Sequence, residues 1–173
     1  LGNVNEQSLE SIAGVGIDSY IPDRREEGYG LSIKGIDRAI SRGIDMLITV
    51  DGGITSISEV EYCREHNVDV IITDHHEPRE VIPDCTVINP KLDGVGYEYL
   101  AGAGVAFKVA DSLFRSIWGN TTEEWVKKLP EIPVFAMMGT ISDRVPQLDE
   151  NRILIFEGNK LSGKTDNPAI TVL

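Results

Sequence analysis

The chain reads as an α/β protein with a mainly parallel, doubly wound sheet, helices on both faces, and a helical C-terminal part. Three observations predict this. Apolar, β-branched runs of strand length, MLITV at 46–50 and NVDVIIT at 67–73, alternate with stretches of helical periodicity, the pattern of strand–helix–strand units. The second run is almost continuously apolar, which suits a central strand covered on both faces. After Gly94 the strand-like runs stop, and alanine, leucine, valine and phenylalanine recur at helical spacing. At 173 residues there is room for one well-buried domain, and one is expected, with residues 1–95 carrying the sheet and 96–173 mainly helical.

The elements follow in order. NEQSLESIA from Asn5 to Ala13 predicts a short helix, with Gly14 and Gly16 to end it before a strand-like Ile17 to Ile21, which Pro22 terminates. DRREEGYG at 23–30 is a charged loop, and Ser32 is placed to cap a helix from Ile33 to Arg42 that Gly43 closes. A strand at Met46 to Val50 runs into Asp51-Gly52-Gly53 and then a helix over Ser56 to His66. The NVDVIIT strand follows, then a further strand at Thr86 to Asn89. Helices are expected over Tyr97 to Trp118, Thr122 to Lys128, Pro133 to Ser142 and Asn151 to Leu161.

Composition narrows the function. The formal net charge of −12 and a pI near 4.6 argue against a broad phosphate-binding surface made by this segment itself. A nucleic-acid partner would need basic surface from elsewhere, or a bound divalent ion reversing the field in one cleft. Cys63 and Cys85 have no metal or redox spacing and read as ordinary buried thiols in a reducing compartment, so a cytoplasmic location is expected. No apolar run reaches the roughly 20 residues needed to cross a bilayer, and no basic leader precedes an apolar stretch, so no membrane partner is expected. The chain opens on Leu1 with helix-like sequence and reads as a segment of a longer protein.

Chemistry concentrates at strand ends. Asp74-His75-His76-Glu77-Pro78 holds two of the three histidines where the NVDVIIT strand should finish, and in open parallel sheets that edge binds ligands. The plainer reading is a polar loop that contains histidines. Asp51 ends the preceding strand; if the two strands are neighbours, their ends lie about 5 Å apart. Carboxylates that close repel and raise one pKa unless a cation lies between them. Mixed oxygen and nitrogen ligands suit Mn²⁺, Fe²⁺, Co²⁺ or Zn²⁺, whereas an all-oxygen shell would point to Mg²⁺ or Ca²⁺. Gly52 and Gly53 would let a ligand approach the backbone, or simply make a tight turn. Asp143 ends a helix, where a carboxylate opposes the macrodipole by a few tenths to about 1 kcal/mol; a functional cation, or pairing with Arg144, would account for it.

These residues together resemble the DHH phosphoesterase family, and within it the RecJ-like single-strand exonucleases. The resemblance rests on Ile21-Pro22-Asp23-Arg24 with Glu27-Gly28-Tyr29-Gly30-Leu31, Thr49-Val50-Asp51-Gly52-Gly53-Ile54, Thr73-Asp74-His75-His76, Val87-Ile88-Asn89-Pro90-Lys91, Ala101-Gly102-Ala103-Gly104-Val105 and Gly139-Thr140-Ile141-Ser142-Asp143. It runs in order over about residues 15 to 155, and the ordered set is far more specific than the DHH tripeptide.

The resemblance implies that Asp51 bridges two divalent metals, with His75 and Asp143 as further ligands. It implies that Asp74 orients or assists the site, that His76 faces the scissile phosphate, and that Arg24 holds a terminal phosphate; for Arg24 a surface salt bridge with Glu26 or Glu27 is the alternative. Manganese is the implied cofactor, with magnesium as the substitute. The implied substrate is an end of single-stranded DNA or RNA, in DNA repair or recombination, with replication or repair proteins as possible partners. Two rivals stay open: a small-substrate DHH phosphoesterase acting on pyrophosphate, oligoribonucleotides or cyclic dinucleotides, and a non-catalytic replication scaffold. The family's early Asp-x-Asp motif is not in the chain, nor is its C-terminal glycine- and histidine-containing domain. The expectation is therefore a single DHH-type domain truncated at both ends and nearly inactive alone.

Overall fold

The computed structural model describes residues 16–23, 25, 27, 28, 30–92 and 96–171. Their elements are α1 (Ile33–Ser41), β1 (Met46–Val50), α2 (Ile57–Glu65), β2 (Asp69–Thr73), β3 (Thr86–Ile88), α3 (Gly102–Trp118), α4 (Thr122–Val126), α5 (Glu131–Ser142), α6 (Asp149–Ser162) and α7 (Pro168–Thr171). The strands form one parallel sheet in the order β1-β2-β3, with Val50 opposite Thr73 and Thr73 opposite Ile88. Parallel neighbours need a crossover; α2 supplies the one between β1 and β2.

Local chemistry sets the element ends. Ser32 caps α1 by accepting from the Gly35 N–H at 3.0 Å. Glu124 and Thr121 form a reciprocal capping box at α4, and Gly119 in the left-handed region, φ 63°, stops α3. Alternation along the strands puts Leu47, Val70, Ile72 and Val87 on one side. There they meet Ile36 of α1 with Val60 and Cys63 of α2, and Cys85 packs on the same cluster; both cysteines are free thiols. Full burial of an Ile72-sized side chain contributes about 1.5–3 kcal/mol. The alternate positions Met46, Ile48, Val50 and Ile88 face outward and are exposed.

The second half is a helical layer. α5 packs along α6, where a Cβ on Gly158 would lie 2.5 Å from Met137 Cβ and 2.6 Å from Pro133 O. α3 crosses α5, and its N-terminal end reaches the carboxyl ends of β1 and β2. Asp111 of α3 accepts from Trp125 Nε1 at 2.8 Å and Thr122 Oγ1 at 2.6 Å, which seats fully buried Trp125 beside Phe114 and Phe107.

Three expectations change. The strand at Ile17 to Ile21 does not form: residues 16–23 lie outside any strand and Ile21 is exposed. The segment's side chains contact neighbouring elements: Asp18 pairs with Arg42, and Tyr20 bonds Glu27 with Arg38 over the Tyr20 ring. A β-branched run becomes a strand only where a neighbouring ladder takes its hydrogen bonds. The helix expected from Tyr97 starts at Gly102, because Leu100 turns back onto Tyr97 O and enters the core while Tyr99 O accepts from Asn151. The last strand ends at Ile88, since Asn89 uses its side chain in the next loop. The helix expected over Asn5 to Ala13 and the residue Arg24 lie outside the described residues.

Candidate metal centre

The sheet delivers three loops to one edge. Beyond the last paired residues the ladder runs one step further: the Asp51 N–H donates to Thr73 O and the Asp74 N–H to Ile88 O, each at 3.0 Å. Asp51 and Asp74 are therefore adjacent across neighbouring strands, as their spacing predicts. Asp51 leaves β1 in the left-handed region, φ 62°, uncommon for a residue with a Cβ. The turn is tied down by Thr49 Oγ1 donating to Gly52 O at 2.6 Å and Thr73 Oγ1 donating to Thr49 O at 2.7 Å. Gly53 is needed for the turn itself: φ is 112°, and a Cβ there would lie 3.1 Å from Thr49 Oγ1 and 3.3 Å from Ile72.

Asp74 is 1% exposed and works as an anchor. One carboxylate oxygen accepts the Ile54 N–H at 3.0 Å; the other accepts the N–H of His75 at 2.7 Å, the N–H of His76 at 3.1 Å and the His76 ring Nδ1 at 2.7 Å. Burial pushes its pKa up, but the Ile54 N–H, the His76 ring and the His76 and His75 N–H groups outweigh that and hold it below the usual carboxylate range. With Asp74 ionised, His76 carries its proton on Nδ1, which leaves Nε2 as the free position on a ring that is 59% exposed.

His75 faces the other way. Its Nε2 is buried without a well-directed hydrogen bond, 3.1 Å from Asp51 Oδ1 and 3.5 Å from Asp143 Oδ2. The close approach of Asp51 raises the His75 pKa; burial works against this, and the charges of Asp143, Asp51 and Asp74 add to the rise. The α5 C-cap that placed Asp143 against the helix dipole thus points it at His75, and Arg144 forms no ion pair with it among the described residues.

The structure brings Asp51, His75 and Asp143 together, with His76 alongside. Asp51, His75 and His76 each offer a ligand atom, all within 4.8 Å of one another. A buried imidazole nitrogen lacking a hydrogen bond and facing two carboxylates is a donor set that fits a divalent cation of the manganese-to-zinc series.

Sequence reasoning gave no role to three supporting residues, although Asn89 and Gly102 stand in motifs that carry the family resemblance. Asn89, buried, donates from Nδ2 to His76 O at 2.9 Å and accepts the Lys91 N–H at 3.0 Å, which fastens the Asp74–Glu77 loop to the end of β3. Asn151, fully buried, donates to Tyr99 O at 2.6 Å and Pro146 O at 2.9 Å, joining the entry of α3 to the segment after Asp143. Gly102 begins α3 directly against Asp51. The available signals were an amide at a strand end and a glycine inside a helical pattern, which needs a packing reason to offset its poor propensity.

Comparison with known proteins adds an independent line. Residues 5–140 match the DHH family, N-terminal domain. The chain is 42% identical over 145 residues to the single-stranded-DNA-specific exonuclease RecJ of Bacillus subtilis (strain 168), covering 82% of this chain and 17% of that protein. It is 36% identical over 158 residues to the protein of that name from Escherichia coli (strain K12), covering 87% of this chain and 27% of the relative. The chain thus spans a minor part of the relatives it matches. Among solved structures it resembles exonuclease RecJ bound to manganese, with a TM-score of 0.76 and 33% identity over 88% of this chain and 37% of that one. A RecJ–Mn²⁺ complex from Thermus thermophilus superposes with a TM-score of 0.68 at 31% identity, covering 80% of this chain and 20% of that one.

Proposed function

This chain belongs to the DHH family, and on that footing we propose that it forms the central part of the catalytic domain of a longer RecJ-like exonuclease, hydrolysing ends of single-stranded DNA in the cytoplasm during repair or recombination. The observation that carries this reading is the convergence of Asp51, His75 and Asp143 on one buried ring nitrogen, beside a His76 held by Asp74.

Asp51, His75 and Asp143 would hold divalent metal, manganese first and magnesium as substitute. Bound metal would supply an activated water and neutralise charge on the phosphate. The chain's own groups do the rest. Asp74 stays ionised and fixes the His76 tautomer, so Nε2 faces outward to hydrogen-bond a phosphate oxygen or, when protonated, to give a proton to a leaving oxygen. Asp51 is held in its unusual backbone conformation by the Thr49–Gly52 and Thr73–Thr49 bonds, so its carboxylate is positioned before any ligand arrives. Arg24 is proposed to hold the terminal phosphate of the strand.

Two ions need more protein ligands than these three, so the 173 residues alone should bind metal yet release almost no nucleotide. The test has two arms. Mn²⁺ uptake by the chain, followed through the free-ion electron paramagnetic resonance signal, should be saturable and lost in His75→Ala. Release of mononucleotides from labelled single-stranded DNA, with RNA and dinucleotide substrates alongside, should be near background. Absence of Mn²⁺ uptake refutes the metal reading; brisk Mn²⁺-dependent release by the isolated chain refutes its partial character.

A further inference from the structure

Asp51 and Asp143 belong to elements far apart in sequence, and the first turn of α3 touches both the Asp51 turn and α5. A Cβ on Gly102, the first residue of α3, would sit 2.2 Å from Asp51 Oδ1, 2.6 Å from its Cγ and 2.7 Å from its Cβ. Turning the carboxylate relieves the first two contacts and takes Oδ1 off its 3.1 Å approach to His75 Nε2; the Asp51 Cβ has no torsion of its own and yields only if α3 and the Asp51 turn move apart. One residue further round the helix, a Cβ on Gly139 of α5 would sit 2.3 Å from the Cβ of Ala103 of α3. An alanine Cβ has no torsion with which to yield, so the two helices must separate. Asp143 stands one turn beyond Gly139, its N–H bonded to Gly139 O at 3.0 Å, and travels with α5 away from His75.

We propose that Gly102 and Gly139 are positioning residues of the metal centre: α3 is a spacer between β1 and α5, and the two missing methyl groups set how closely Asp51 and Asp143 approach His75. This rests on the metal-centre reading above. Helix propensity alone favours alanine at both positions; the close contact with Ala103 gives Gly139 a packing reason, and the ligand spacing gives both glycines a functional one.

The experiment measures Mn²⁺ affinity by electron paramagnetic resonance, and thermal unfolding by circular dichroism, on the 173-residue chain. Gly102→Ala meets the Asp51 side chain, its Cβ at 2.7 Å included; it should unfold at a lower midpoint and, measured well below that midpoint where the chain is folded, bind Mn²⁺ about tenfold or more weakly, the scale of losing a ligand-orienting partner. Gly139→Ala should also weaken binding. Adding Ala103→Gly to it should restore binding, because the methyl then moves from one helix to the other and its nearest remaining contact, Ala103 Cα, is an ordinary 3.8 Å away. Folded Gly102→Ala binding Mn²⁺ like the parent chain overturns the proposal, as does failure of the Ala103→Gly, Gly139→Ala double variant to recover. If the parent chain takes up no Mn²⁺, the metal reading itself falls and takes the proposal with it.

Discussion

Asp74→Asn is the sharpest test of how the strand-end loop is built. The amide has nearly the shape of the carboxylate, so packing is preserved and the hydrogen bonds alone are perturbed. One Asp74 oxygen accepts three N–H groups around the histidines; the other accepts the Ile54 N–H at 3.0 Å. The amide oxygen goes where three donors converge, which turns the NH₂ toward the Ile54 N–H, donor against donor. An unsatisfied buried N–H costs about 1–3 kcal/mol, and the three remaining bonds lose their charge assistance. Relief from burying a charge offsets part of this, leaving a net loss of about 2–4 kcal/mol, or roughly 5–15 °C in unfolding temperature for a chain of this size. The pH dependence gives a second signature. Because the folded pKa of Asp74 is lowered, its contribution is present above the unfolded value near 3.9 and is lost as pH falls through the lowered folded value. Urea unfolding of the metal-free chain and the variant, at neutral pH and at pH near 3, reads both. A neutral-pH difference within about 0.5 kcal/mol, or a difference that does not shrink in acid, would refute Asp74 as an ionised anchor.

Other expectations follow from neighbouring groups. In the metal-free chain, His75 should titrate above the ordinary imidazole range by NMR, and Asp51→Asn should bring it down; its stabilising effect is full below the unfolded pKa near 6.5 and fades as pH rises through the raised folded value. Ile72→Ala, at a fully buried position of the central strand, should cost about 2–5 kcal/mol in urea unfolding. Asp111→Ala strands the Trp125 Nε1–H and the Thr122 hydroxyl and should cost about 1–3 kcal/mol. Lys108→Ala, which removes only a surface pair with Glu150 at 2.7 Å, should cost less than about 1 kcal/mol by the same measurement.

Much of the site was legible because it sits where local patterns end. Asp51 and Asp74 follow apolar runs directly, so locating the strands located the carboxylates, and parallel pairing put them side by side. Asp143 was legible as an anomaly, an acid at a helix C-terminus, although nothing near it in sequence named His75 as its partner. Ile17 to Ile21 misled for the converse reason: its composition suits a strand, but no ladder in the described residues receives it.

Periodicity, caps and turn chemistry act over a few residues, and through them the sequence by itself determined the alternating α/β half, the helical half and the chemical identity of the strand-end cluster. The tertiary structure alone decided which distant groups touch: Asn89 on the His76 carbonyl, Asn151 between Tyr99 and Pro146, Gly102 of α3 on Asp51 and Ala103 of α3 on Gly139 of α5. Those contacts depend on packing distances of a few ångströms between whole elements, and such distances are set by which side chains, or missing Cβ atoms, meet at a crossing that local sequence does not encode.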